Sequence, residues 1–232
     1  MDLSLAGDRV GFIGPGDADG LAVRHILISL DYPLEKDLGG TDLGEYDLLI
    51  LHHPPVCEPE IPTYVIHSNW DVLEGGACDA LADCLDIAVD GVMDPATGIG
   101  RTGTIRGGPV PLSRFTWEVM GKLRTDDIRI VNYRHDCRIG SVGLVSGFGL
   151  SPDLISLAKE CGVDLFLSGD LTHKGAVLAQ NLGIVLLDAT HQATELPGLF
   201  RLAEVISRAG RVTVRLAESS RPWRSAALKH NF

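Results

Sequence analysis

The feature that most restricts the fold is a series of short apolar segments of β type, each followed by a helical or loop stretch. In chain order they are "RVGFIG", "HILISLD", "YDLLILH", "TYVIHS", "DIRIVNY", "GSVGLVSG", "VDLFLSG", "GIVLLDA" and "GRVTVRLA". Interleaved with them are helical patterns: "GACDALADCLDI", "PLSRFTWEVMGKL", "PDLISLAKECG", "HKGAVLAQNLG" and "TELPGLFRLAEVISRA". This alternation is that of an α/β fold in which helices cover the faces of a sheet, a three-layer α/β/α arrangement with mixed sheets. One helix start is written clearly: Ser151 is a good N-cap, and Pro152 fits a first turn where its missing N–H costs nothing.

The stretch "DGVMDPATGIGRTGTIRGGPVP" is rich in Gly and Pro and has no clear period, so it reads as a long loop or a pair of ragged strands. On this reading the chain is a single unit over residues 1–232. Two similar halves, about 1–95 and 125–217, would be joined through the Gly/Pro-rich region 91–111 and followed by a basic tail, 218–232. In that tail Arg221, Arg224 and Lys229 flank Trp223, and a loosely held end is its simpler reading.

Hydrophobic residues make up 45% and charged residues 22% of the 232, so a chain of this length can bury a sizeable core. A net charge of −11 argues against general binding of nucleic acid, which needs a basic face. No apolar run approaches the roughly 20 residues that span a bilayer, and the first residues lack the pattern of a secretory signal. The cytoplasm is therefore the expected location. Five cysteines, with no Cys-x-x-Cys pair, read as reduced thiols rather than a disulfide framework or zinc knuckle.

Three strand ends carry groups that could bind metal. "DLLILHHPP" ends a strand in His52 and His53. "TYVIHSNWD" ends one in His67 and brings Asp71 four residues later. "GIVLLDATHQATE" places His191 and Glu195 at i and i+4. Consecutive side chains of an extended chain point to opposite sides, so His52 and His53 could serve two ions, or one could ligate while the other packs. Carboxyl ends of strands are where open α/β sheets gather their sites, and the two prolines would stiffen the exit. If the third stretch is helical, His191 and Glu195 share a face. Each signal has a structural alternative, but together they offer more donors than one ion needs. Imidazole and carboxylate without thiolate suit zinc, iron, manganese or cobalt. Two such ions sharing a carboxylate stand roughly 3.5–4 Å apart and can activate a water.

The motifs "LLILHHPP", "HSNWD" before "GGACDALADCL", and "DATHQATE" preceded by "DLFLSGD" resemble those of the Nif-three-like dinuclear-metal proteins, some known as type-two GTP cyclohydrolases. The resemblance runs from about "HILISLD" to the final strand. It implies two similar halves flanking a dinuclear metal site, and ring-shaped homo-oligomers, often hexamers. By matching motif, His52, His53, Asp71 and His191 would be terminal ligands and Glu195 the bridging one, with His67 beside the site as an orienting or catalytic group. The chain departs from the family at Thr190, where glycine is usual. Its amino-terminal part is short and lacks the Asp–Asn–x-Gly signature.

Secondary features admit two readings each. "LVSGFGLSPDL" could present backbone N–H groups to an anion, or Gly147 and Gly149 simply make a tight turn. Asp170 and His173 in "SGDLTH" could lie near the metals, with His173 as an acid or base, or they could be a helix cap and a solvent-facing side chain. Trp70 could stack on a substrate base or pack in the core. Ser146 does not match a nucleophile elbow, and Cys57 suits a hard ligand set poorly. The leading expectation is a metal-dependent hydrolase acting on a small molecule such as a nucleotide, phosphoester or cyclic amide. The alternatives are a non-catalytic metal-binding regulatory or assembly protein and, last, nucleic-acid binding through the channel of a ring.

Overall fold

The structure, a computed structural model, describes residues 3–218 and Trp223. The first elements are β1 (Gly11–Ile13), β2 (His25–Ser29), β3 (Leu48–Leu51), β4 (Thr63–Val65), α1 (Ser68–Val72), α2 (Ala77–Cys84), β5 (Ile87–Val92) and β6 (Arg101–Ile105). Next come β7 (Val110–Pro111), α3 (Leu112–Leu123), β8 (Arg129–Val131), β9 (Arg138–Ile139), β10 (Ser141–Phe148) and α4 (Pro152–Glu160). The chain continues through β11 (Leu165–Gly169), α5 (His173–Leu182), β12 (Val185–Asp188), α6 (His191–Ala209) and β13 (Thr213–Leu216). Of the basic tail, Glu218 and Trp223 are described; Arg221, Arg224 and Lys229 lie outside the described residues.

Two larger sheets form. The first has the order β1-β4-β3-β2-β13, parallel except for β1. The second has the order β5-β6-β10-β11-β12-β8, with β10, β11 and β12 parallel and the outer strands antiparallel. All nine apolar segments contain strands; the continuous aliphatic runs suit the interior parallel ones, while β1, β8 and β13 form sheet edges and are only partly buried. β11 and β12 are buried at every residue.

The layers follow from strand alternation. In the first sheet Ile26, Ile28 and Ile50 face Trp70, Ala77, Leu199 and Leu202 of α1, α2 and α6, while Leu27, Leu49 and Leu51 turn to the other side with Leu38 and Val65. In the second, Leu144, Leu165, Leu167 and Leu187 pack against α2 and α3, and Val145, Phe166 and Leu186 against α4 and α5. Helix α6 lies between the sheets, touching β10 and β11 on one side and β13 and β2 on the other. Truncating a fully buried aromatic such as Phe166 would cost about 3–5 kcal/mol, so the layer of α4 and α5 against the second sheet is held firmly.

Two local differences from the sequence pattern have clear causes, and of the two readings of the Gly/Pro-rich stretch it is the pair of strands that forms. Helix α2 stops at Cys84 instead of running to Ile87, because Asp86 takes a left-handed φ of 56° and Ile87 opens β5. The Gly/Pro-rich stretch holds the β5–β6 hairpin, an edge of the second sheet; a Cβ on Gly103 would stand 2.5 Å from the Ala88 carbonyl, so only glycine lets these strands pair. Helix α6 begins at His191 rather than Thr194, since the Thr190 hydroxyl caps it by accepting the Ala193 N–H. At α4 the Ser151 cap and Pro152 first turn are as expected.

Candidate metal centre

The carboxyl ends of both parallel strand sets converge on one place. From the first sheet, β2 leads into Asp31, β3 into His52 and His53, and β4 into His67, with Asp71 on α1. From the second, β10 brings Gly147, β11 leads into Asp170, and β12 leads through Thr190 into α6, which carries His191 and Glu195 one turn apart. A crevice outside strand carboxyl ends is the usual seat of a site in such sheets.

The four imidazoles of this place are held alike. His52 donates its Nδ1–H to the Ile66 carbonyl at 2.9 Å, His53 to Asp31 at 2.8 Å, His67 to Asp8 at 2.8 Å and His191 to Asp170 at 2.6 Å. With Nδ1 engaged outward, Nε2 is the nitrogen each ring has left, as in histidines whose second partner presets them for metal. His52 Nε2 is 3.6 Å from Asp71 Oδ1 and 3.3 Å from Glu195 Oε1. His191 Nε2 is 2.9 Å from the same oxygen, and His53 Nε2 is 3.3 Å from Glu195. The Nε2 atoms of His53 and His191 face each other at 3.1 Å. Two lone pairs so close repel unless a proton or a cation lies against them.

Burial sharpens the conflict. His52 is 1% exposed and Glu195 4%, and Asp71 is buried beside them. His52 Nε2, Asp71 Oδ1 and Glu195 Oε2 are buried with no hydrogen-bond partner. Leaving three such atoms unsatisfied would cost about 1–3 kcal/mol each, so the site is incomplete as an all-protein structure. Burial alone would raise the Glu195 pKa, yet the charge of His52 and hydrogen bonds from His191 and His53 hold it well below the usual value. Asp71 is pushed up to about 7 by burial, with Glu195 adding to it. Burial works against charge on His53 and His191, but hydrogen bonds with Glu195, Asp31 and Asp170 raise them to about 10 and about 9. His67 goes the other way, lowered by burial and by the neighbouring imidazoles. The cluster thus demands positive charge, and its residues are of the type that could hold a metal ion: His53, His191 and Glu195 form one close group, and His52, His53 and His67 another.

The backbone is bent to make this arrangement. Gly147, Asp170 and Thr190 have φ of 75°, 62° and 72°, and the last two pay a left-handed penalty that non-glycine residues usually avoid. Buried Thr194 locks the first turn of α6 onto β10: Gly147 N–H donates to its hydroxyl at 3.0 Å, and Ser146 Oγ donates to its carbonyl at 3.2 Å. On the other side buried Arg101 pairs with Asp79 and bonds the Val72 and Leu73 carbonyls, fixing the chain just after Asp71.

All five candidate ligands, His52, His53, Asp71, His191 and Glu195, are together, and His67 lies beside them, its ring 5.1 Å from that of His52. His173 is exposed at the start of α5 and is in neither close group. Asp170 orients His191, while Thr172 caps α5. Trp70 is core, donating its indole N–H to the Gly198 carbonyl. Cys57 is exposed and apart from both close groups. Asp8, Asp31 and Thr194 were missed. Asp31 ends a strand, a signal that could have found it; nothing local marks Asp8.

Comparison with known proteins accords with this geometry. A GTP cyclohydrolase 1 type 2 homolog of Methanothermobacter thermautotrophicus is 45% identical over 223 residues, covering 96% of this chain and 88% of the relative. The homolog of that name from Methanocaldococcus jannaschii is 30% identical, covering 89% and 88%. Reduced HcgD from Methanocaldococcus jannaschii superposes with a TM-score of 0.78 at 26% identity, covering 94% of this chain and 92% of that one. Staphylococcus aureus hypothetical protein SA1388 shares the fold with a TM-score of 0.81 at 19% identity, covering 97% and 94%. The profile of Duf34/NIF3 (NGG1p interacting factor 3) matches residues 56–222, and with these relatives it makes this chain a member of the Duf34/NIF3 family.

Proposed function

We propose that this protein is a metal-dependent hydrolase that holds two divalent transition-metal ions. His52 and Asp71 would serve one ion, His53 and His191 the other, and Glu195 both. The observation that carries this reading is the set of three partnerless buried atoms, His52 Nε2, Asp71 Oδ1 and Glu195 Oε2. They belong to oxygen and nitrogen donors of the kind zinc, iron, manganese and cobalt accept. A pair of such ions supplies Lewis acidity and lowers the pKa of water. The chain's own part is orientation: Asp31 and Asp170 hold His53 and His191 with Nε2 inward, and Asp8 does the same for His67. The side chains of His53 and His191 are 21% and 26% exposed, so one flank of the cluster is open to a small molecule. That opening favours catalysis over a closed structural site. Phosphoesters and nucleotides are the natural first substrates, and the name carried by the relatives puts guanine nucleotides at the head of the screen.

Elemental analysis of protein purified without chelator, beside Glu195→Ala, tests the reading. The expected result is about two transition-metal ions per chain, falling sharply in the variant. No specific metal in either protein after reconstitution would sink both the hydrolase and the metal-regulator readings.

A further inference from the structure

Two segments that feed the cluster also wall a hollow beside it. One follows Asp8, the other is the exit from the histidine pair through Pro54 and Pro55. Between them lies a space of about 560 Å³, lined by Arg9, Ile13, Pro15, Pro55 and Glu58 among others. That is the size of a small-molecule site. Each wall is a short covalent step from the cluster: Arg9 adjoins Asp8, and Pro55 is two residues from His53, a reach of about 7 Å.

Asp8 joins the two places physically. Its Oδ1 accepts both the Nδ1–H of His67 at 2.8 Å and the backbone N–H of Arg9 at 2.9 Å. Its Oδ2 accepts the backbone N–H of Ser68 at 3.0 Å and the Ser68 hydroxyl. Burial opposes charge on Asp8, but the bonds from Ser68 and His67 prevail and keep the carboxylate ionised. None of these donors is the Arg9 guanidinium, so Asp8 does not pair with that charge. Arg9 is exposed, and among the described residues its guanidinium makes no ion pair. In a chain of net charge −11, an unpaired planar guanidinium facing a hollow is fitted to an oxyanion it can grip with two N–H groups.

We propose that this hollow is the subsite for the phosphate group of a nucleotide-sized phosphomonoester, gripped by Arg9 while the reacting end of the molecule lies on the metal cluster. The inference rests on the hydrolase reading for the second half of that statement only. Ile13, Pro15 and Pro55 give the organic body stiff apolar walls that lose little entropy on binding. Glu58 opposes the phosphate and sets an upper limit on its affinity, which leaves product free to depart.

The test is calorimetric titration of inorganic phosphate, at low salt, into metal-loaded wild type, Arg9→Ala, Arg9→Lys and Glu58→Gln, with metal content and melting temperature measured on the same samples. Arg9→Ala should weaken phosphate binding about tenfold at unchanged metal content. Arg9→Lys should fall between, and Glu58→Gln should bind more tightly than wild type. Wild-type affinity in Arg9→Ala, or no phosphate binding by wild type, would overturn the proposal. Repeating the titration on chelator-treated protein separates the two ideas: an Arg9-dependent affinity that persists without metal upholds the subsite independently of the cluster. An affinity that vanishes with the metal and is unchanged in Arg9→Ala places the phosphate on the cluster and overturns the subsite. The hydrolase reading stands or falls separately, on metal content after reconstitution.

Discussion

Gly147→Ala adds one methyl group, and its consequence can be worked out atom by atom. The added Cβ would stand 2.2 Å from Glu195 Oε1, 2.9 Å from Glu195 Cδ and 3.2 Å from His191 Nε2. An ordinary contact requires the carboxylate to withdraw by about 1 Å, whereas metal sites tolerate errors of only about 0.2 Å in ligand distance. Glu195 is buried and lies on the helix packed between the two sheets, so it has little room to retreat. Alanine at a φ of 75° adds left-handed strain of about 1 kcal/mol, and overpacking a tight site adds about 1–3 kcal/mol. The sum, about 2–4 kcal/mol, lowers the melting temperature of a chain this size by about 5–15 °C.

Gly16→Ala is the control. Its φ is 94° but a Cβ there meets nothing within 4 Å, so it carries the strain without the collision. Thermal melts with elemental analysis read both effects: Gly16→Ala should lose about 1 kcal/mol and keep its metal, and Gly147→Ala should lose more stability and most of its metal. Wild-type metal content in Gly147→Ala, or equal melting losses in the two variants, would refute the reasoning.

Metal uptake should release at least two protons per chain at pH 7, because His53 and His191, raised to about 10 and about 9, hold protons that a cation displaces, and Asp71, pushed up to about 7, is partly protonated as well. Apparent affinity should therefore rise from pH 6 to pH 9, and a flat profile in zinc titrations at several pH values would contradict this. The metal-free protein should show the linked sign: the two histidines stabilise it fully below about pH 6.5, where the unfolded chain is also protonated, and that contribution fades as pH climbs through 9 to 10. Glu195, lowered well below its usual value, acts oppositely, and its contribution is lost as the solution is made acidic. Arg101→Met should cost about 3–5 kcal/mol in urea unfolding, since it abandons Asp79 and the carbonyls of Val72, Leu73, Gly98 and Gly100; a loss below about 1 kcal/mol would show that the clamp is dispensable.

The strands were legible because an aliphatic run buried on both faces has few other uses, and the ligand candidates were legible because they stand at the ends of such runs. The partners that set their geometry were not. Asp8 reaches His67 across 59 positions with no local pattern to announce it, and Asp31, though marked by its place after β2, reaches His53 across 22, a pairing that its position alone does not reveal. The start of α6 was hidden for a different reason: "THQATE" has no apolar period, and the helix is begun by a capping threonine in a strained conformation. Asp170 shows the limit of local rules, since a carboxylate just before a helix reads as a cap, yet Thr172 fills that place and frees Asp170 to hold His191. The β5–β6 hairpin was disguised by glycines such as Gly103, which lower strand propensity where the backbones must approach most closely.

The adjacent histidines that end β3 take their sense from the helix opposite them. Leaving the strand, successive side chains diverge, and the rings of His52 and His53 stand 5.1 Å apart at an angle of 48°. One is sealed in against Asp71 and the other faces the open flank toward His191, while both reach Glu195. A single carboxylate on a helix shared by two sheets therefore meets donors from both. On the proposed reading, ions at this place would cross-link β3 and α1 of the first half of the chain to α6, closing a loop of more than a hundred residues. Metal binding and folding would then be coupled, and the strain held at Asp170 and Thr190 would be tolerable because occupancy of the cluster offsets it. On the same reading the buried atoms left without protein partners would find theirs in the ion, and the fold would be complete only when it is bound.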